Sequence, residues 1–220
     1  MFEYPPRPSI GIDIDGVLVY DQWREFLEFM MIAEGIPCDV DCYLRTNCWE
    51  QATGLESIQV GEYYTRFRQS RWYQPAQPIG GAAEGLRQLD QWYDLHVVTA
   101  RSGLRELPTL GELATHFSGV NFASHRFNGY RGKGQLMTEC GASLLIEDNV
   151  KIAVQVAAVA PVILFPQPAN VHFAPHDHLI YPSTAHRAHD GLTHDEWCAL
   201  WQETWQEIVL LVRDVVPLAS

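Results

Sequence analysis

Short, uniformly apolar runs bounded by turn-forming residues recur along the chain, and most alternate with stretches whose apolar positions repeat every three to four residues. The runs at 9–14, 95–99, 143–146 and 162–165, with a further one near 120–124, read as strands. Because these runs are apolar at successive positions, both faces of the strands must be covered, as in a parallel sheet with helices on either side. The predicted fold class is therefore α/β: a doubly wound, Rossmann-like parallel sheet. Helical periodicity predicts a helix over 21–34, with Asp21 as its cap, Trp23, Phe26, Leu27 and Met30 on one face, and Gly35 and Pro37 beyond its end. Further helices are predicted over 39–51, 58–72 and 81–92. The last helical pattern, 193–212, opens with Thr193 and Glu196 spaced as a capping box and carries Trp197, Leu200, Trp201, Trp205 and Ile208 along one face. That tryptophan stripe reads as core packing. The 80 residues separating the first two strands exceed a single crossover. The expected organisation is a core of residues 1–19 and 76–220, with a helical cap of residues 20–75 inserted after the first strand and leaving through the stiff Gln-Pro-Ala-Gln-Pro segment at 74–78.

Charge narrows the partners. With 27 acidic against 15 basic residues and a net charge of −12, the chain lacks the clustered cations that a nucleic-acid polymer requires. Only Lys133 and Lys151 are lysines. The most apolar run, 152–165, is broken by Gln155 and Pro161 and is shorter than the roughly 20 residues of a membrane span, so it reads as a helix followed by a strand, with no membrane partner. Residues 1–8, with Glu3 and three prolines, lack the basic start and apolar stretch of an export signal. Five cysteines, an odd number, predict reduced thiols and a cytoplasmic setting. Cys38, Cys42 and Cys48 cluster without a CxxC pair and read as packing thiols. Six of the nine histidines fall between His172 and His194 in a stretch rich in Pro and Ala, predicted to be an exposed loop. The seven acids between Asp177 and Asp214 read as a solvated face.

The first strand ends Ile12-Asp13-Ile14-Asp15-Gly16. Burying carboxylates at a strand end is costly unless a cation or a reaction uses them, and the carboxyl ends of parallel strands are where such sheets bind ligands. Alternation sends Asp13 and Asp15 to one side, where one carboxylate could attack phosphorus and the other handle the leaving-group proton. The second strand ends Thr99-Ala100-Arg101, offering a hydroxyl and backbone N–H groups to a phosphoryl oxygen. Lys133 stands between two glycines ahead of a short helix, and Ile146-Glu147-Asp148-Asn149 again closes a strand in acids.

The order of DxDG, TAR, Lys and an acidic pair resembles the haloacid-dehalogenase-like phosphohydrolase superfamily over residues 9–165. The VVTAR and LLIEDN segments, and Trp205-Gln206-Glu207-Ile208 in the last helix, are similar to its 5′(3′)-deoxyribonucleotidase-like branch. The resemblance implies a Mg²⁺-dependent phosphomonoesterase acting on a small phosphorylated metabolite, with nucleoside monophosphates in view. It implies Asp13 as nucleophile, forming an aspartyl-phosphate, and Asp15 as acid and then base. Thr99, Ala100 and Lys133 would bind phosphate, while Mg²⁺ would be held by Asp13, the Asp15 carbonyl and Asp148. Where many phosphatases of this branch carry two aspartates, Glu147 precedes Asp148. Glu147 is placed behind the metal ligands, with direct, water-mediated and absent metal contact all open. Arg101 is left between a substrate contact and an ion pair that fixes its loop. A phosphotransferase or mutase of the same superfamily and a catalytically idle protein-binding module are the alternatives.

Overall fold

Strand β1, Ser9–Ile12, lies at the middle of a six-stranded sheet in a computed structural model that describes residues 6–46, 48–127, 132–173, 175–189 and 191–218. Residues 1–5 of the N-terminal stretch and Asp190 of the acidic set lie outside these. The other strands are β2 (Asp94–Thr99), β3 (Phe122–Phe127), β4 (Ala142–Glu147), β5 (Val162–Leu164) and β6 (Leu179–Ile180). All neighbours pair in parallel, in the order β3-β2-β1-β4-β5-β6. The order reverses at β1, so the crevice between the carboxyl ends of β1 and β4 is the topological switch point, where such sheets bind ligands.

Helices cover both faces, as the doubly apolar strands require. On one face Ile10 and Ile12 of β1 and Leu144 and Ile146 of β4 pack under α5 (Ala82–Leu89) and α9 (His194–Val215). On the other, Val98 and Leu145 pack under α7 (Lys133–Cys140) and α8 (Val150–Val156). Two glycines set how close the helices come. A Cβ on Gly11 would sit 2.4 Å from Met137 Sδ, and one on Gly85 would sit 2.7 Å from the Trp205 ring. Bare backbone at both places lets a large side chain rest directly on it.

Between β1 and β2 the chain forms α1 (Trp23–Glu28), α2 (Val40–Thr46), α3 (Trp49–Thr53) and α4 (Ser57–Gln69). Their aromatic residues form separate clusters around Trp23 and Tyr43 and around Phe26 and Phe67. Two details depart from expectation. The first helix runs on as a π-helical turn, Phe29–Ala33, and its cap position is Gln22, without a side-chain cap, so Asp21 is left for other use. The predicted helix over 39–51 is two helices, α2 and α3.

The His-rich segment is not simply a loop, because it contains β6 and a 3-10 turn at Ser183–Arg187. Nor are all the C-terminal acids merely solvated. Glu207 accepts hydrogen bonds from the backbone N–H of Ser183 and Thr184, and Glu203 pairs with Arg187, fastening that turn to α9. Between β2 and β3, α6 (Glu106–His116) completes the helices. Among the described residues no helix is long and apolar enough to cross a membrane.

Candidate active site

The geometry begins with register. Gly11 lies in β1 and Asp13 one residue past its end, two apart, while Lys133 and Met137 lie four apart along α7, so the contact of Met137 on Gly11 carries Lys133 onto Asp13. Lys133 Nζ stands 2.8 Å from Asp13 Oδ2 and 2.6 Å from Glu147 Oε2. Glu147 shares its strand face with Leu145 beneath the same helix and is fully buried. Its other oxygen, Oε1, accepts the N–H of Asn149 at 3.0 Å, shaping the turn that presents Asp148.

Asp13, Glu147 and Asp148 each place a carboxylate oxygen within 4.8 Å of the others. Three buried or half-buried carboxylates against one ammonium leave two negative charges in a small volume. Burial first, and then Glu147, push the Asp13 carboxyl up to about 7 despite the opposing pull of Lys133. Asp148 is pushed well up by burial, by Glu147 and by Asp13. Lys133 is held protonated because its two carboxylate partners outweigh its own burial. Asp13 Oδ1 is buried with no hydrogen-bond partner. An orphaned oxygen amid excess carboxylate charge is the environment a hard divalent cation fits, since such ions take oxygen ligands and supply the missing charge.

Asp15 stands in a second, separate ion cluster. The strand ends at Ile12 and only the Asp13 N–H, donated to the Ile146 carbonyl, extends the ladder, so strict alternation does not carry on to Asp15. Its carboxylate instead accepts two hydrogen bonds from Arg101, at 2.9 and 2.7 Å. Arg101 also bonds Glu112 and donates to Thr109 Oγ1. Burial raises the Asp15 carboxyl, but the Arg101 hydrogen bonds and charge outweigh it and hold it below the usual range. Arg101 thus ties the loop after β2 to Asp15 and Glu112 by ion pairs. Thr99 is fully buried and its Oγ1 accepts the Arg101 N–H, while Ala100 is exposed beside it.

Several contributors carry no local sequence signal. Asn170 Nδ2 donates to the carbonyls of Asp148 and Phe165, and Gln167 Nε2 donates to the Gly16 carbonyl at 2.6 Å. Trp205 Nε1 donates to the Val17 carbonyl at 3.3 Å, so the loop after β1 is gripped from two sides. Asp21, read in the sequence as a helix cap, is close enough to raise Asp148 and to be raised in turn by Asp15.

No protein-family model matches the chain, and no curated protein does either. Solved structures do. A haloacid dehalogenase-like family hydrolase from Streptococcus pneumoniae matches with a TM-score of 0.55 at 16% identity, covering 80% of this chain and 93% of that one. CbbY from Rhodobacter sphaeroides, solved in complex with phosphate, matches at 0.51 and 15%, covering 80% and 93%. A phosphonoacetaldehyde hydrolase-like protein from Oleispira antarctica matches at 0.51 and 15%, covering 94% and 88%. The order of strands, the switch point at β1 and these neighbours agree that the chain has the α/β fold of haloacid dehalogenase-like hydrolases.

Proposed function

We propose that the protein is a phosphomonoesterase in which Asp13 attacks the phosphorus of a small phosphorylated metabolite. The observation that carries this reading is the Asp13 carboxylate itself: buried at the switch point, fixed through Oδ2 by Lys133, and with Oδ1 unpartnered. In the first step an Asp13 oxygen bonds phosphorus as the ester P–O bond breaks, and Asp15 gives its proton to the departing alkoxide. The phosphate dianion beside Asp15 raises its proton affinity, working against Arg101. In the second step Asp15 takes a proton from water as that water attacks phosphorus, releasing inorganic phosphate and restoring Asp13. Lys133, the Thr99 hydroxyl and the Ala100 N–H stabilise charge on the phosphoryl oxygens.

Asp13 Oδ1, Asp148 and the Asp15 carbonyl would hold Mg²⁺, with Glu147 behind them on Lys133. Bound there, the ion would supply the positive charge that lets an anionic ester approach a carboxylate. The helices of residues 20–75 would act as the cap over this centre, and the five free cysteines suit the reducing, cytoplasmic setting proposed for it. Transfer of the phosphoryl group to an alcohol instead of water uses the same residues. Inorganic phosphate released without an acceptor marks the hydrolase.

The test is hydrolysis of p-nitrophenyl phosphate. Turnover should require Mg²⁺, stop with a chelator, and fall at least about a thousandfold in Asp13→Asn. Wild-type turnover in that variant would overturn the assignment. Nucleoside monophosphates belong in the substrate screen, because the VVTAR and LLIEDN segments resemble the deoxyribonucleotidase-like branch.

A further inference from the structure

We infer that Asp21 and Gln22 recognise a positively charged amino group on the alcohol part of the substrate, which makes the substrate class phosphate esters of amino alcohols. The inference rests on the phosphatase reading. A cavity of about 470 Å³ lies beside the catalytic loop, walled by Tyr20, Trp23, Trp197 and Trp201. A smaller cavity contains Asp15 and Arg101. Asp21 and Gln22 line both, so they stand between the catalytic loop and the larger space.

Gln22 presents an acceptor that the chain leaves unused, and Asp21 a carboxylate that no cation among the described residues pairs. Gln22 Nε2 donates to the Gln74 carbonyl at 2.5 Å, which fixes the orientation of the amide. Its Oε1 is then buried without a partner. Among the described residues no Lys or Arg lies within salt-bridge distance of Asp21. Burial, and then Asp15 and Glu25, push its carboxyl up to about 7 against the Gln22 backbone and Arg101. Arg101 is engaged by Asp15 and Glu112, Arg105 by the Tyr73 hydroxyl, and Arg68 lies over the Tyr64 ring at 4.1 Å from its centre. Arg24 also lines the larger cavity, and it lays its guanidinium over the Trp23 ring, 5.3 Å from its centre, without pairing Asp21. His194, on the far wall, packs its ring against Tyr20.

Two adjacent acceptors in an aromatic-walled cavity suit an ammonium, which brings three donors and a charge. A neutral alkyl group would leave Gln22 Oε1 unpaired and Asp21 without a counter-charge, and an anionic group would meet Asp21.

The test compares 2-aminoethyl, 3-aminopropyl and 4-aminobutyl phosphate with their neutral isosteres n-propyl, n-butyl and n-pentyl phosphate. At least one amine should exceed its isostere in kcat/KM by about tenfold or more. Asp21→Asn, and separately Gln22→Met, should bring that ratio towards one. Ratios near one for all three pairs, in an enzyme that hydrolyses p-nitrophenyl phosphate through Asp13, would overturn the inference and leave the phosphatase reading intact. Should no ester be hydrolysed, the phosphatase reading falls, and binding decides the inference. Calorimetric binding of 3-amino-1-propanol but not n-butanol, lost in Asp21→Asn, upholds it; equal or absent binding overturns it.

Discussion

Gly16 has a φ of +77°, and a Cβ there would lie 2.2 Å from Asp148 Oδ2. The residue therefore supplies both a left-handed turn and the space that Asp148 occupies. Gly16→Ala should lower kcat/KM at least about tenfold with little change in far-ultraviolet circular dichroism, because the substitution moves a carboxylate and not an element. The DxDG pattern made this glycine legible. Asp21 was misread, because a polar residue ahead of a helical pattern has the same local signature whether it caps the helix or faces a cavity. His96 shows another property invisible to periodicity. Its Nδ1 pairs with Ser124 Oγ at 2.8 Å, its Nε2 is buried without a partner, and burial lowers its pKa below 6.5. As pH falls below about 6.5 the unfolded chain takes up a proton that the folded His96 resists, so its contribution is intact above that pH and lost progressively below it. The drop in urea midpoint between pH 7.5 and 5.5 should be smaller in His96→Gln than in the parent chain.

Elements were legible where periodicity was long. The 22 residues of α9 follow the predicted stripe, and Thr193 and Glu196 close the capping box. Thr193→Ala should cost about 1 kcal/mol in a denaturant titration. The stripe also serves the site, since Trp205 fills the Gly85 slot and holds the Val17 carbonyl. Trp205→Ala should cost about 3–5 kcal/mol. It should also reduce activity under conditions where the variant remains folded, as the loop carrying Asp15 loses a hydrogen bond. Elements were missed where the signal was too short or too mixed. β6 is two residues long, and α6 contains Pro108 and Gly111 within a pattern that reads weakly as a helix. α2 and α3 fold back on each other so that the N–H of Asp39 meets the Ala52 carbonyl, a contact between the ends of the segment that no helical repeat records.

At the scale of the molecule, the candidate centre draws on β1, the end of β2, α7 and the end of β4, and the sheet order brings them together. The sequence showed the participants because each falls at the end of a strand or the start of a helix. It did not show that Asp13 and Asp15 would be held by different cations, because Lys133 and Arg101 arrive through α7 packing and through the β2 loop. Divalent metal should stabilise the whole fold, because the excess carboxylate charge at Asp13, Glu147 and Asp148 is a cost carried by the folded state. Mg²⁺ at about 100 times its Kd should add about 2.7 kcal/mol to unfolding free energy, read as a rise in Tm that a chelator reverses and that Asp148→Asn diminishes.

The interior place of β1 has a consequence for biosynthesis. Ser9 pairs with both Asp94 and Ala142, so the first strand made is bordered on one side by a strand that emerges much later. Until then the β1 backbone presents an open edge, the kind of surface that recruits a strand from another nascent chain. Asp13 and Asp15 follow that strand with two like charges, and such charges oppose in-register stacking of identical segments. The carboxylates proposed for chemistry would thus also oppose self-association while the chain is still being made.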